Sequence, residues 1–226
     1  MQHLVRQLNK CRLFNHLSPE KIVFLLSDIE YNVKLYSKNE VVFSPHHHSD
    51  TLGILLEGSV DVQKIFSSGK IVTVNRRFSP DLIADASIFA KIENYPSTIT
   101  ANENSSVFLI NKSNLLKIFS KDKEIISKFL ESVSNRVLAL NSTIEILSLN
   151  SVAAKIAFFL LLEHSKQNSK TIMLTFTKKS LAEHLNVSRP TLSRELKNMQ
   201  LRGIISLHNR TIRILSLEIL EQLCST

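Results

Sequence analysis

Thr177-Lys178-Lys179-Ser180-Leu181-Ala182-Glu183-His184-Leu185-Asn186-Val187-Ser188-Arg189-Pro190-Thr191-Leu192-Ser193-Arg194-Glu195-Leu196-Lys197-Asn198-Met199 reads as two capped helices joined by a tight turn. Thr177 has the hydroxyl an N-cap needs, and the helix it opens runs to Leu185. Asn186-Val187 makes the turn. Ser188 caps the second helix, where Pro190 is tolerated because it lies in the first turn. Leu192, Leu196 and Met199, with Leu201 beyond them, form its apolar positions, and small Ala182 sits where the two helices must approach closely. This is the pattern of a helix-turn-helix. Gly203 stops the second helix, and Ile204–Leu207 and Thr211–Leu215 flank His208-Asn209-Arg210 as a β-hairpin wing.

Working toward the N-terminus, Ile172–Phe176 alternates like a strand, His164–Thr171 is a polar loop, and Val152 to about Glu163 is an amphipathic helix. Leu149-Asn150-Ser151 interrupts the helical pattern and supplies a cap, so the domain boundary is expected near Asn150. Before it, Ile126, Leu130, Val133, Val137, Leu140, Ile144 and Leu147 recur at alternating spacings of 4 and 3 residues. Such a seam asks for another helix, and an identical one is the simplest partner, which makes these seven residues the expected dimerisation face. Phe129, Leu138 and Ile146 offer a second apolar edge for the roll.

The first half has a different texture. Ser18-Pro19-Glu20 starts a helix carrying Ile22, Leu25, Leu26 and Ile29. Val33–Tyr36, Val41–Phe43, Leu52–Leu56, Val60–Phe66, Ile71–Phe78, Thr98–Ala101 and Ser106–Ile110 are β-rich runs. Turn residues separate them, among them Glu57-Gly58 and Ser79-Pro80-Asp81. Short strands at this spacing predict a small antiparallel roll. The expected fold class is therefore α+β: an N-terminal antiparallel β-roll with helices over 1–111, a long dimerisation helix over 112–150, and a winged helix-turn-helix over 151–226.

The 226 residues carry a net charge of +8 that is unevenly spread. Residues 151–226 hold 11 Lys and Arg against 5 Asp and Glu, whereas residues 1–150 hold 17 against 15. A compact basic region suits nucleic acid and also an anionic membrane surface. The longest apolar run, Ile156–Leu162, is too short to span a bilayer, and the N-terminus lacks the basic-then-apolar pattern of a signal peptide. Only two cysteines are present, Cys11 and Cys224, too few for a four-thiolate cluster. A cytoplasmic protein without a membrane partner is expected.

The C-terminal region, Phe176 to Leu215, resembles without a gap the winged helix-turn-helix of the Crp/Fnr family of bacterial transcription regulators. Asp50-Thr51-Leu52-Gly53-Ile54-Leu55-Leu56-Glu57-Gly58-Ser59-Val60 is similar to the strand-turn-strand signature of that family's roll. The resemblance implies double-stranded DNA and a second copy of the chain as partners, with RNA polymerase as the partner if the protein activates transcription. It also implies a recognition helix, Ser188–Met199, whose Arg189, Ser193 and Arg194 reach base edges in the major groove. Arg194 is the leading base reader, since Arg can bond guanine O6 and N7 together. Many family members carry Glu where this chain has Pro190, so the family's usual half-site is not expected here. Thr177, Lys178, Lys179, Ser188, Thr191, Arg210 and Thr211 are the expected phosphate contacts, which fix register but read no sequence. Lys197, Arg202 and Arg213 are read as ordinary solvated charges.

In cyclic-AMP-binding members of the family a Gly-Glu pair holds the ribose, Arg-Ser holds the cyclic phosphate, and Thr-Ser on the dimer helix meets adenine. The corresponding places here are Ala84-Asp85-Ala86, Tyr95-Pro96-Ser97-Thr98 and Leu140-Asn141. The effector pocket, if used, is expected at Ala84, Asp85, Ser97, Thr98, Leu140 and Asn141. An effector other than cyclic AMP, or none, is expected, because the phosphate-neutralising Arg is missing and Asp85 would repel the phosphate. Any compensating charge would come from another strand, through Arg76 and Arg77.

No cofactor is expected. A metal- or haem-responsive sensor using His46-His47-His48 is the alternative reading, opposed by the difficulty of pointing three consecutive side chains one way. A cupin-type metalloenzyme would need Glu four or five positions after the second His, where Leu52 and Gly53 stand. No P-loop or nucleophile elbow occurs, so no catalytic residues are assigned and no enzyme is expected.

Overall fold

The computed structural model describes residues 1–174 and 177–224. Two compact units emerge, residues 1–134 and 135–226.

In the first unit, α1 (Gln2–Lys10) and α2 (Pro19–Ser27) precede eight strands: β1 (Asn32–Tyr36), β2 (Val41–Phe43), β3 (Thr51–Glu57), β4 (Ser59–Ile65), β5 (Ile71–Phe78), β6 (Asp81–Ile83), β7 (Thr98–Ala101) and β8 (Ser105–Asn111). They form two four-stranded sheets, in the orders β1-β8-β3-β6 and β2-β7-β4-β5. Every pairing is antiparallel, as the turn-separated short runs predict. The seven expected strands are present, with ends shifted by a residue or so. The eighth, β6, occupies part of what the sequence suggests is a turn at Ser79-Pro80-Asp81. Gly58 turns β3 into β4 with φ of +87°, and a Cβ there would lie 2.6 Å from the Asn104 carbonyl oxygen. The position therefore demands glycine twice, for conformation and for space.

The first sheet has a covered face on each side. Its outer face packs Leu52, Ile54, Leu56, Phe108 and Ile110 against Val5, Leu8, Ile22, Leu25 and Leu26 of α1 and α2. Its inner face meets the second sheet through Tyr36, Leu55, Ile83 and Val107 opposite Phe43, Val60, Ile99 and Ala101. Burial of this kind stabilises by about 25 cal/mol per Å² of apolar surface, enough to hold two small sheets together.

Residues 112–150, expected as one dimerisation helix, hold two: α3 (Lys112–Lys121) and α4 (Lys123–Ser148). Asp122 breaks them with an extended backbone, and its carboxylate accepts from the Glu124 amide at 2.9 Å, serving the start of α4. The hydrogen bond from the Lys21 ammonium 2.6 Å away holds this carboxyl below the usual range, outweighing the upward push of burial. α4 belongs to both units. Ile125 and Phe129 sit in the first core and Ile146 in the second. The second apolar edge is thus divided, and Leu138, expected within it, is 63% exposed.

The second unit continues with α5 (Val152–Gln167), β9 (Thr171–Met173), α6 (Lys178–His184), α7 (Arg189–Leu201), β10 (Ile205–His208), β11 (Thr211–Ile214) and α8 (Leu217–Cys224). Leu149-Asn150-Ser151, the expected boundary, spans the break between α4 and α5, where Ser151 caps Ala154 at 3.0 Å. The expected loop at His164–Thr171 is corrected in its first part. α5 runs on to Gln167 because Glu163 accepts hydrogen bonds from Lys166 and Gln167 within the last turn, and Asn168 ends it in the left-handed region. Phe176, expected to end a strand, lies outside the described residues.

Candidate nucleic-acid interface

The recognition segment is built as its capping chemistry dictates. Thr177 Oγ1 accepts the Ser180 amide at 3.2 Å, opening α6. The Val187 amide donates to the Ala182 carbonyl at 2.9 Å, and Asn186 takes φ of 51°, a left-handed conformation that Asn tolerates well. Ser188 Oγ then accepts the Thr191 amide at 3.2 Å and meets the Thr191 hydroxyl at 2.7 Å, opening α7. Leu181, Ala182 and Leu185 of α6 pack with Leu192, Leu196 and Met199 of α7 in one core that also takes Ile156, Leu160, Ile204, Ile212 and Leu220. Leu201 does not join them. It is 77% exposed, because two residues past Met199 the helix has turned about 200°, to the opposite face.

That core fixes which side of α7 faces outward. Arg189, Pro190, Ser193 and Arg194 are exposed, and Thr191 is half-buried. Thr177, Lys179, Ser188 and Arg210 are also exposed, with Lys178 and Thr211 half-buried. Among the described residues no carboxylate pairs with Arg189, Arg194, Lys178, Lys179 or Arg210. Lys197 and Asn198 are exposed one turn beyond Ser193 and Arg194, a placement that i, i+4 spacing would have given directly. The wing pairs Ile205 with Ile214 and His208 with Thr211, turning at Asn209 with φ of 53°. β9 adds a third strand through Ile172 and Ile212. α7 and the wing therefore stand on one continuous core.

Two family models match this chain. A Crp-like helix-turn-helix domain matches residues 154–223, and a cyclic nucleotide-binding domain matches residues 33–122. The chain belongs to the Crp/Fnr family. It is a Crp/Fnr-type transcription regulator with a helix-turn-helix DNA-binding domain. Relatives include a global nitrogen regulator of Nostoc sp., 21% identical over 80% of this chain and 84% of that one. An anaerobic regulatory protein of Bacillus subtilis is 22% identical over 81% of this chain and 79% of its own. Among solved structures, the catabolite activator protein of Thermus thermophilus shares the fold with a TM-score of 0.54 at 19% identity, covering 95% of this chain and 98% of that one.

The other residues singled out from the sequence lie in both units. Ala84 and Asp85 follow β6, Ala84 with φ of 61° and Asp85 buried. Ser97 is half-buried before β7 and Thr98 is buried in it, whereas Leu140 and Asn141 belong to the second unit and are exposed. Arg76 is committed elsewhere, gripping Asp61 with two hydrogen bonds of 2.6 and 2.9 Å. Arg77 lies 3.5 Å from Asp81. His46, His47 and His48 are exposed in the turn after β2, with His47 Nδ1 3.4 Å from the Ser44 hydroxyl and His48 in a β-bridge to Asn94. Among the described residues no group of three His, Cys, Asp or Glu is placed to hold a metal ion, and no helix is long and apolar enough to cross a membrane.

Proposed function

We propose that the chain acts as a homodimer which sets two copies of α7 into successive major grooves of a near-palindromic operator. The observation that carries this reading is the outward face of α7, where Arg189, Ser193 and Arg194 stand exposed on a helix anchored by its opposite side. Arg194 and Ser193 read base edges, and Arg189 reads a base or a phosphate. Thr177, Lys178, Lys179, Ser188, Thr191, Arg210 and Thr211 meet the phosphates and set the register. Pro190 removes the side chain with which many relatives accept a hydrogen bond from cytosine, so the half-site differs at that position.

Pairing runs along α4. Leu130, Val137, Leu140, Ile144 and Leu147 are between 49% and 60% exposed in the single chain, and Ile126 and Val133 are partly covered by the first core. Five large apolar side chains in one stripe support a second copy as their cover. An effector other than cyclic AMP, or none, acts on this dimer, and RNA polymerase is its partner where it activates. The work of the molecule is binding rather than catalysis.

Selection of bound fragments from random duplex DNA tests the proposal. Two inverted half-sites with centres about 34 Å apart are expected. Enrichment of a single unpaired half-site would overturn the dimeric reading, and no enrichment would overturn base recognition.

A further inference from the structure

Side chains tie the two sheets of the roll across their gap: the Ser105 hydroxyl donates to the Ser59 carbonyl at 3.2 Å, and Tyr95 makes a second tie. Tyr95, just before β7 of the second sheet, reaches the first residue of β3 in the first sheet. Its hydroxyl donates to the Thr51 carbonyl at 2.8 Å and accepts from the Thr51 amide at 3.1 Å. The ring is 3% exposed and lies 4.6 Å, centroid to centroid, from that of Phe43. Burial raises the phenol's pKa above its ordinary value of 10, so the hydroxyl keeps the proton that this clasp uses.

The space beneath is full. Phe43, Leu55, Val60, Ile83, Ile99 and Ala101 form one buried cluster with Tyr95. Gly53 measures how full: a Cβ there would fall 2.5 Å from Ile83 Cγ1 and 3.2 Å from Phe43 Cε2, so not even a methyl group fits beside these side chains. A ligand entering beside Tyr95 would part the Tyr95–Phe43 contact and leave the Thr51 backbone groups without their partner.

We propose that the roll is closed by its own Tyr95–Phe43 pair and that the protein binds its operator with no small molecule in the roll. This rests on the DNA-binding reading above. It makes the first unit a permanently filled support for α4, with regulation left to abundance or to a protein partner.

The test uses the full chain, unfolded and refolded to strip any bound molecule, and the operator found by selection. Half-saturation should change by less than about twofold when cyclic AMP, cyclic GMP or the small-molecule fraction of a boiled bacterial extract is added. Native mass spectrometry should give the mass of the polypeptide alone. Tyr95→Ala should lower the melting temperature, and p-cresol, the missing side chain, should restore part of it while leaving the wild type unmoved. Should Tyr95→Ala not fold, Tyr95→Phe supplies the same reading: a lower melting temperature with operator affinity kept in the absence of any addition.

A gain of tenfold or more on adding a small molecule, or a bound metabolite seen in the native spectrum, would overturn the closed roll while leaving the DNA-binding reading intact. So would wild-type protein that p-cresol stabilises as much as the variant. Failure to bind any duplex under every condition would instead remove the DNA-binding reading on which the proposal stands.

Discussion

Arg194 and Lys179 are both exposed cations, yet they should fail differently when removed. Arg194→Ala should cost about 1–3 kcal/mol at the selected operator and relax preference at one base pair per half-site, measured by fluorescence anisotropy against single-base variants. Lys179→Ala should weaken all duplexes alike and make the slope of log affinity against log salt shallower by about 1. A loss confined to one sequence would reassign Lys179 to base reading. His184, on α6, offers a different handle. Burial and then the charge of Lys166 hold its pKa below the ordinary 6.5, while Glu163 pulls the other way. The folded chain therefore takes up this proton less readily than the unfolded one. Stability from this source is complete above pH 6.5 and falls as the pH drops from 6.5 toward the lower folded value. His184→Gln should flatten the decline in melting temperature just below pH 6.5. Because the ring is partly exposed, the difference should be small, and parallel curves for the two proteins would refute it. At this scale the sequence was most legible where a residue's chemistry is local. The hydroxyls of Thr177 and Ser188 announce caps, whereas the pairing of Arg76 with Asp61 depends on a cross-strand register that spacing alone does not supply.

An element succeeds when its ends and its buried stripe agree. In α7 they do: Ser188 closes the N-terminus, Gly203 with φ of 69° follows the C-terminus, and Leu192, Leu196 and Met199 face one core. Ser188→Ala should destabilise the second unit by about 0.5–2 kcal/mol, read from denaturant unfolding. Its effect on DNA should exceed this stability loss if the hydroxyl also meets a phosphate; an equal loss would confine Ser188 to capping. The same logic explains where the structure departs from the local pattern. Leu201 continues the apolar series by residue type, but helical rotation puts it outside the core. No Gly or Pro separates α3 from α4; the break is made by Asp122, whose capping carboxylate is stabilised by Lys21 about 100 residues away in sequence. β6 has only three residues and gains its hydrogen bonds from β3, a partner distant in sequence. Elements held by long-range pairing are the ones a local pattern cannot announce.

At the scale of the whole molecule, the exposed stripe on α4 is a liability for one chain and an asset for two. Leu140, 60% exposed, lies in its middle. If the stripe is the pairing face, Leu140→Glu places two like charges opposite each other in a desolvated seam, and the dimer should dissociate. Sedimentation should then report the mass of one chain where the wild type reports two. Each α7 would still dock on a half-site, but the second contact would no longer be intramolecular, so affinity for the full operator should fall by about 10²–10⁴ while affinity for an isolated half-site stays unchanged. The pairing of these two readouts separates assembly from folding. A misfolded variant loses both sites, and a variant whose Leu140 merely faced solvent would lose neither.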